Sequence, residues 1–322
     1  MKEGISVMQH NSVARIGPLD KRARLWRDIK RAKYLYIMIA PIVVYLIVFK
    51  YLPMGGIVIA FKDFKLGRGI LGSEWVGLKN FHELFRSPDF KLILRNSIML
   101  NVYLVVFTFP IPVILALLLN ELRAPRFKRV IQSILYLPHF LSWVVLSGIL
   151  IAMLSPSSGV VNRIIMFLGG EPIYFMADKT WWVITFVASS VWKEAGWGTI
   201  IFLAAISGID MEQYEAARID GANRFQQIWH ITLPAILPTV SIMLILRMGS
   251  MMDVGFEHVY TLQNSYVRSV SDVFSVYVFR IGIERLRFSY TSAIGLFQSV
   301  VNLIILLGTN FLAKKVSETS LF

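Results

Sequence analysis

Six apolar runs, near 34–52, 97–119, 131–154, 181–206, 231–252 and 290–312, restrict this chain more than any other feature. Each approaches or exceeds the roughly 20 residues that carry an α-helix across a hydrocarbon core about 30 Å thick. Soluble-core helices seldom run this long without charge. With 56% hydrophobic and only 16% charged residues, and a mean hydropathy of +0.60, the composition fits a bilayer and not a large soluble all-α protein. The expectation is an all-α polytopic membrane protein with six transmembrane helices.

The net charge of +13 would suggest a nucleic-acid partner in a soluble protein, but topology explains it better here. Lys21, Arg22, Arg24, Arg27, Lys30, Arg31 and Lys33 cluster just before the first run. Arg123, Arg126, Lys128 and Arg129 lie in the second inner loop, and Lys314 and Lys315 in the tail. Short basic loops mark the cytoplasmic side, so both termini are expected there. The first run is too long for a signal-peptide core and has no clear small-residue cleavage site; it is read as an anchor. The division that follows is a basic cytoplasmic tail (1–33), a transmembrane domain (34–316) and a short cytoplasmic tail (317–322). Zero cysteines exclude disulfides and thiol chemistry.

Outside the runs, residues 53–96 mix aromatics with charges and read as an amphipathic helix along the outer interface. Ser87-Pro88-Asp89-Phe90 has the form of a helix start. Segments 155–180 and 253–289 read as shorter, more polar outer loops that either contact an extracytoplasmic ligand carrier or only connect spans. Trp181, Trp182 and Trp192 are expected in an interfacial belt. Pro110, Pro112, Pro234 and Pro238 bend or shape the helices that contain them.

One polar break, at about 207–230, carries an ordered pattern: Glu215-Ala216-Ala217, three residues, Gly221, nine residues, Ile231, one residue, Leu233-Pro234. Residues 213–220 tolerate a helix, Gly221 permits a sharp turn, and proline suits the first turn of the following span. A short helix pair between two spans is a device for being pushed by a soluble partner.

Enzyme motifs are missing. There is no Gly-Lys dipeptide and so no Gly-x-x-x-x-Gly-Lys phosphate loop; no His-Glu-x-x-His zinc motif; and no Gly-x-Ser-x-Gly elbow. Ser190-x-x-Lys193 matches only two fixed positions of a serine–lysine hydrolase. Five scattered histidines do not suggest a metal site.

The Glu-Ala-Ala-x3-Gly-x9-Ile-x-Leu-Pro run resembles the signature of the membrane subunits of binding-protein-dependent ABC importers. Trp75-Val76-Gly77-Leu78-Lys79-Asn80-Phe81, Arg95-Asn96-Ser97 and Leu115-Ala116-Leu117-Leu118-Leu119-Asn120 are similar to the maltose-type, carbohydrate-uptake branch. Tyr51-Leu52-Pro53-Met54, Ile59-Ala60-Phe61-Lys62-Asp63-Phe64 and Tyr136-Leu137-Pro138-His139-Phe140 narrow the resemblance to permeases for complex oligosaccharides of the pectin or alginate type. It covers residues 34–316.

The resemblance implies a type I importer permease fold and no catalysis on this chain. ATP and magnesium would reside on two ATPase subunits. A second homologous permease, an extracytoplasmic solute-binding protein, an oligosaccharide and membrane lipid would complete the set, with no nucleic acid. The setting would be the bacterial cytoplasmic (inner) membrane. The motif helix would seat in an ATPase groove: Glu215 as charged handle, Ala216 and Ala217 for close approach, Gly221 for the bend, with Tyr214, Ile219 and Phe225 as apolar knobs and Asp220 in the same contact.

Sugars need aromatic faces and polar partners. Candidates are His139 and Trp143 in the third run, Trp192, Lys193, Glu194 and Trp197 in the fourth, and Arg247, Ser250, Met251 and Asp253 in or after the fifth. By offset from the motif, the sugar-contacting positions of maltose-type permeases fall near His139, Lys193, Trp197, Arg247 and Met251. Charges within a bilayer usually face a cavity or a partner. Arg247 and Lys193 therefore point either to an acidic, uronide-containing sugar or to internal ion pairs with Glu194 or Asp253. Three other functions stay open: import of a different small solute, an intramembrane serine hydrolase built on Ser190 and Lys193, and a passive channel.

Overall fold

The computed structural model describes residue 26 and residues 28–317; most of the basic tail and residues 318–322 lie outside the described part. The chain divides into two compact units, residues 1–58 and 59–322. In the first, α1 (Lys33–Leu46) continues through a π-turn at Ile47–Tyr51. Leu52-Pro53 follows. Proline has no N–H to give and its ring crowds the carbonyl four residues back, so a widened turn just upstream relieves the ladder. The same pairing recurs at Leu233-Pro234, preceded by a π-turn at Ile228–Thr232.

The second unit opens with a 3₁₀ turn ending at Phe61 and a two-residue antiparallel hairpin, β1 (Lys62–Asp63) and β2 (Glu74–Trp75). Only α2 (Lys79–Arg86) realises the amphipathic helix expected across 53–96. Ser87-Pro88 does start a helix, but that helix is the second span itself: α3 (Pro88–Thr108), continued after a break by α4 (Pro110–Glu121). The expected 97–119 run therefore begins nine residues early, because polar Arg95, Asn96 and Ser97 are helical and find partners.

The third run is not straight. α5 (Pro125–Tyr136) ends in a 3₁₀ turn, Leu137–Phe140, and α6 (Trp143–Met153) leaves it at 99°. Pro138 disfavours continuation of the helix, and the Ser142 hydroxyl accepts from Val145 N at 3.3 Å to start the new one. After α7 (Val160–Phe167) comes α8 (Lys179–Ser207), 29 residues long and capped by Asp178. Then follow α9 (Met211–Ile219), α10 (Arg224–Gln227) and α11 (Leu233–Met248). The chain closes with α12 (Phe256–Leu262), α13 (Arg268–Ser271), α14 (Phe274–Phe279) and α15 (Phe288–Ser317).

Among the described residues four helical runs are long and apolar enough to cross a membrane: 33–61, 88–121, 224–248 and 288–315. The bent pair is a fifth if counted as one crossing. α8 has the length but carries Lys193 and Glu194 among tryptophans, glycines and serines.

Segment 253–289 is not the polar loop expected: it forms α12, α13 and α14 and is largely buried. Val254, Val259, Leu262, Val267, Val273 and Val276 join Leu100 and Leu104 of α3 and Trp182 and Phe186 of α8 in one core. Its charges misled because they neutralise one another: buried Asp272 accepts from Arg280 at 2.7 Å and from Arg268 at 3.2 Å. Trp182 is likewise not a belt residue: it is 0% exposed and donates from Nε1 to Leu262 O at 2.9 Å.

Candidate functional site

Two regions collect the residues singled out by sequence. The first is the polar break. Asp210 caps α9 by accepting from Glu212 N, and the helix runs through Glu215-Ala216-Ala217 to Ile219. It stops because Gly221 adopts φ +78°, where Ala222 N reaches back to Ala217 O at 2.8 Å. Asn223 and Gln226 then cap α10 reciprocally, and α10 runs without interruption into the fifth span, which starts at Arg224 and not at 231.

Two side-chain links tie this helix pair down. Tyr214 Oη lies 2.8 Å from Thr232 Oγ1, and Arg224 pairs with Glu121 at the end of α4 at 2.5 Å. Tyr214 is thus turned toward its own chain, whereas Ile219 and Phe225 are 87% and 73% exposed. Glu215, Ala216 and Asp220 are exposed and Ala217 half-buried. An exposed apolar side chain thus stands on each side of the glycine turn.

The second region is a cavity of about 590 Å³, within the range of small-molecule sites. Its wall comes from α3, α4, α6, α8, α11, the turn that follows α11 and the start of α12, and includes Trp143, Glu194, Trp197, Arg247, Asp253 and His258. These residues arrive together because Ser190, Glu194 and Trp197 recur at helical spacing on α8, facing the start of α6 and the end of α11. Gly196 permits the approach: a Cβ there would collide with the Leu135 backbone of α5.

The individual placements separate the candidates. Trp197 stacks flat on His139, with centroids 4.6 Å apart and planes 3° from parallel. His139 Nδ1 comes within 3.2 Å of Glu194 Oε2, at an angle too poor for a hydrogen bond. Lys193 is 6% exposed and does not line the cavity. Its Nζ donates to His139 O at 2.8 Å, lies 3.9 Å from Glu194 Oε1 and sits 5.2 Å above the Trp143 ring. The 99° bend frees backbone carbonyls, and Lys193 satisfies one of them. Arg247 does face the cavity, donating to Asn101 Oδ1 at 3.1 Å. Ser250 and Asp253 line it from the turn beyond α11, while Met251 is buried outside the lining. Trp192 is exposed on another face.

Ser190 offers no serine–lysine pair: its hydroxyl donates to Phe186 O at 2.9 Å, and Lys193 is committed to His139 O. Sequence reading missed Asn101, Ser190 as a lining residue, and His258. His258 lies on α12, in the segment mistaken for a loop. The only available signal was the α8 stripe Trp182, Phe186, Ser189/Ser190, Lys193, which repeats at helical spacing and so needed a partner element.

Comparison with known proteins places the chain in a family. Residues 93–318 match the family of binding-protein-dependent transport system inner membrane components. Protein LplB of Bacillus subtilis (strain 168) is 49% identical over 91% of this chain and 92% of its own length. The polygalacturonan/rhamnogalacturonan transport system permease protein YteP of the same organism is 46% identical over 94% of each chain. Among solved structures, a chain of a bacterial alginate ABC transporter in complex with alginate pentasaccharide-bound periplasmic protein superposes with a TM-score of 0.84. It is 37% identical, over 92% of this chain and 100% of that one.

Proposed function

This chain belongs to the family of binding-protein-dependent transport system inner membrane components, a transport subunit of the inner membrane and not an enzyme, and from that premise we propose that it moves an oligosaccharide through the 590 Å³ cavity by alternating access. The observation that carries the reading is the lining: flat aromatic faces of Trp143 and Trp197 beside the hydrogen-bonding groups of Glu194, Arg247, Ser250 and Asp253. Stacking faces ringed by polar groups suit a pyranose, which has an apolar side and a rim of hydroxyls.

A uronide-containing sugar is the specific substrate class proposed. Relatives named for polygalacturonan and alginate support it. So does Arg247, whose guanidinium gives one N–H to Asn101 and keeps others for a carboxylate. Lys193 is withdrawn from the ligand set, because its ammonium is spent on the bend. His139 acts by backing Trp197, and Met251 as packing.

The chain crosses the membrane six times in this reading, the bent pair and α8 each counting as one crossing, with both termini cytoplasmic. The basic residues at the start of α5 support that orientation. A second permease would close the other side of the cavity, and a solute-binding protein would load it from outside. Two ATPase subunits would hold ATP and magnesium. Closure of those subunits on α9 would be passed to the fifth span through the continuous α10–α11 helix. The Glu121–Arg224 pair would carry it to α4.

Sugar uptake by proteoliposomes holding the complete transporter tests the substrate class. Alginate pentasaccharide and tetragalacturonate are expected to be taken up in preference to neutral maltopentaose. Arg247→Gln is expected to cut uronide uptake about tenfold or more, the scale of one lost charge-assisted hydrogen bond, and to narrow the preference. Equal uptake of neutral and acidic sugars, unchanged in the variant, would refute the acidic class.

A further inference from the structure

A stack of rings runs from the core into the cavity wall, where His258 and Trp143 both border the cavity. Four rings stack in series from the core to the lining: Trp182 on Phe186 at 5.3 Å, Phe186 on His258 at 4.1 Å, and His258 on Trp143 at 3.5 Å, with interplanar angles of 14°, 16° and 11°. Trp182 is 0% exposed and fixed by its bond to Leu262 O, so the inner end of the stack is immobile. Trp143, half-buried, is the outer end and belongs to the cavity wall.

His258 is the ring in this series that directional bonds hold on both edges. Ser189 Oγ lies 3.1 Å from its Nε2 and Ser190 Oγ 3.3 Å from its Nδ1, while both hydroxyls also approach Phe186 O, at 3.0 and 2.9 Å. A neutral imidazole brings one N–H and the serines two O–H groups. Three protons therefore serve four contacts, and one serine turns its proton to the ring while the other keeps the Phe186 carbonyl. Held at both nitrogens, the imidazole cannot rotate in its plane or slide out of the stack. A phenylalanine there would pack as well but would lack those two anchors.

We propose that His258 is a positioning residue for sugar selectivity: it fixes the plane of Trp143, on which a pyranose ring of the substrate stacks, without meeting the sugar itself. The inference deepens the cavity reading and rests on it. His258 borders the cavity but is only 2% exposed and lies under the Trp143 ring at 3.5 Å, so its effect passes through Trp143. Trp143 begins α6 immediately after the 99° bend, where its backbone is least constrained by a preceding helical turn. Stacking from behind supplies the order that the local backbone does not. Lys193, 5.2 Å over the same ring and bonded to His139 O, holds the bend from the other side.

A double-mutant cycle tests this. Uptake of alginate pentasaccharide, tetragalacturonate and maltopentaose is measured in proteoliposomes containing the complete transporter and saturating solute-binding protein, with assembly checked by gel filtration. Trp143→Ala is expected to lower uptake of the preferred sugar about tenfold. His258→Ala is expected to lower it about 3- to 10-fold, the range of an aromatic pair. The double variant should match Trp143→Ala within about twofold, since His258 has nothing left to position. His258→Phe, which keeps the stack but lacks the two serine anchors, should recover part of the loss, and a purely hydrogen-bonding role would allow no recovery. Additive losses in the double variant, or His258→Phe as damaging as His258→Ala, would overturn the positioning role and leave the cavity standing. No effect of Trp143→Ala on any of the three sugars would overturn both readings.

Discussion

Gly221 and Gly196 show how much a missing side chain can decide. At Gly221 the backbone is left-handed but the space around it is open, so the constraint is conformational alone. A β-branched residue should pay about 1–2 kcal/mol there, whereas asparagine, which tolerates this region, should pay less. Gly221→Val is therefore expected to uncouple ATP hydrolysis from sugar delivery and Gly221→Asn to preserve most of it. Equal behaviour of the two variants in a sugar-stimulated ATPase assay would count against a backbone role. At Gly196 the problem is space: any Cβ meets the Leu135 backbone. Gly196→Val should force α8 away from α5 at a cost of about 3 kcal/mol or more, read as a fall in the melting temperature of the purified complex. An unchanged melting temperature would show that the helices are less tightly apposed.

At the scale of elements, the bent third span turns an apparent substrate ligand into a structural part. Lys193 is 6% exposed and donates to the carbonyl freed by the bend. Lys193→Met should leave that carbonyl without its donor, costing about 1–3 kcal/mol, and should impair neutral and acidic sugars alike. A loss confined to uronides would return Lys193 to the ligand set.

The same element marks where sequence stopped being informative. The turn in the polar break was legible because a left-handed glycine is a local signal: Gly221 was read as that turn, although the caps Asp210 and Asn223–Gln226, which act just as locally, were not. The bend of the third span was not legible, because Pro138 looks the same in a kinked helix as at a break, and the partner that stabilises the break, Lys193, is 54 residues from the carbonyl it binds. Segment 253–289 misled for the same reason. Asp272, Arg268 and Arg280 read as solvent-facing charges until the fold closes them on one another. Trp143, Trp197 and Arg247 were singled out from their chemistry and line the cavity, while His258 was out of reach because its two stacking rings and two serine partners come from α6 and α8.

At the scale of the whole molecule, residues 59–322 join the exposed α9–α10 pair to the cavity through shared helices. α11 leads from the Gly221 turn to Arg247, and α8 from the cavity wall to Asp210 at the start of α9. A core cluster of Ala116, Phe202, Ile206 and Ile236 joins α4, α8 and α11 midway, so a push on α9 cannot move one of these helices alone. Asp272 and its two arginines brace the core around Val267 and Val273, and Asp272→Ala, which leaves the partly buried Arg280 without its carboxylate, should cost about 1–3 kcal/mol. Unchanged thermal stability of that variant would show the cluster to be dispensable.

The central claim is that an ATP-driven partner working on α9 moves sugar through the cavity of this chain. Its most direct test is ATP hydrolysis by the reconstituted transporter with loaded solute-binding protein, comparing wild type with Gly221→Val and Trp143→Ala. The account predicts stimulation by alginate pentasaccharide or tetragalacturonate in wild type and its loss in Gly221→Val. Trp143→Ala should leave a turnover that responds weakly to sugar. Stimulation that is absent with every sugar, or that survives the Gly221 change intact, would contradict it.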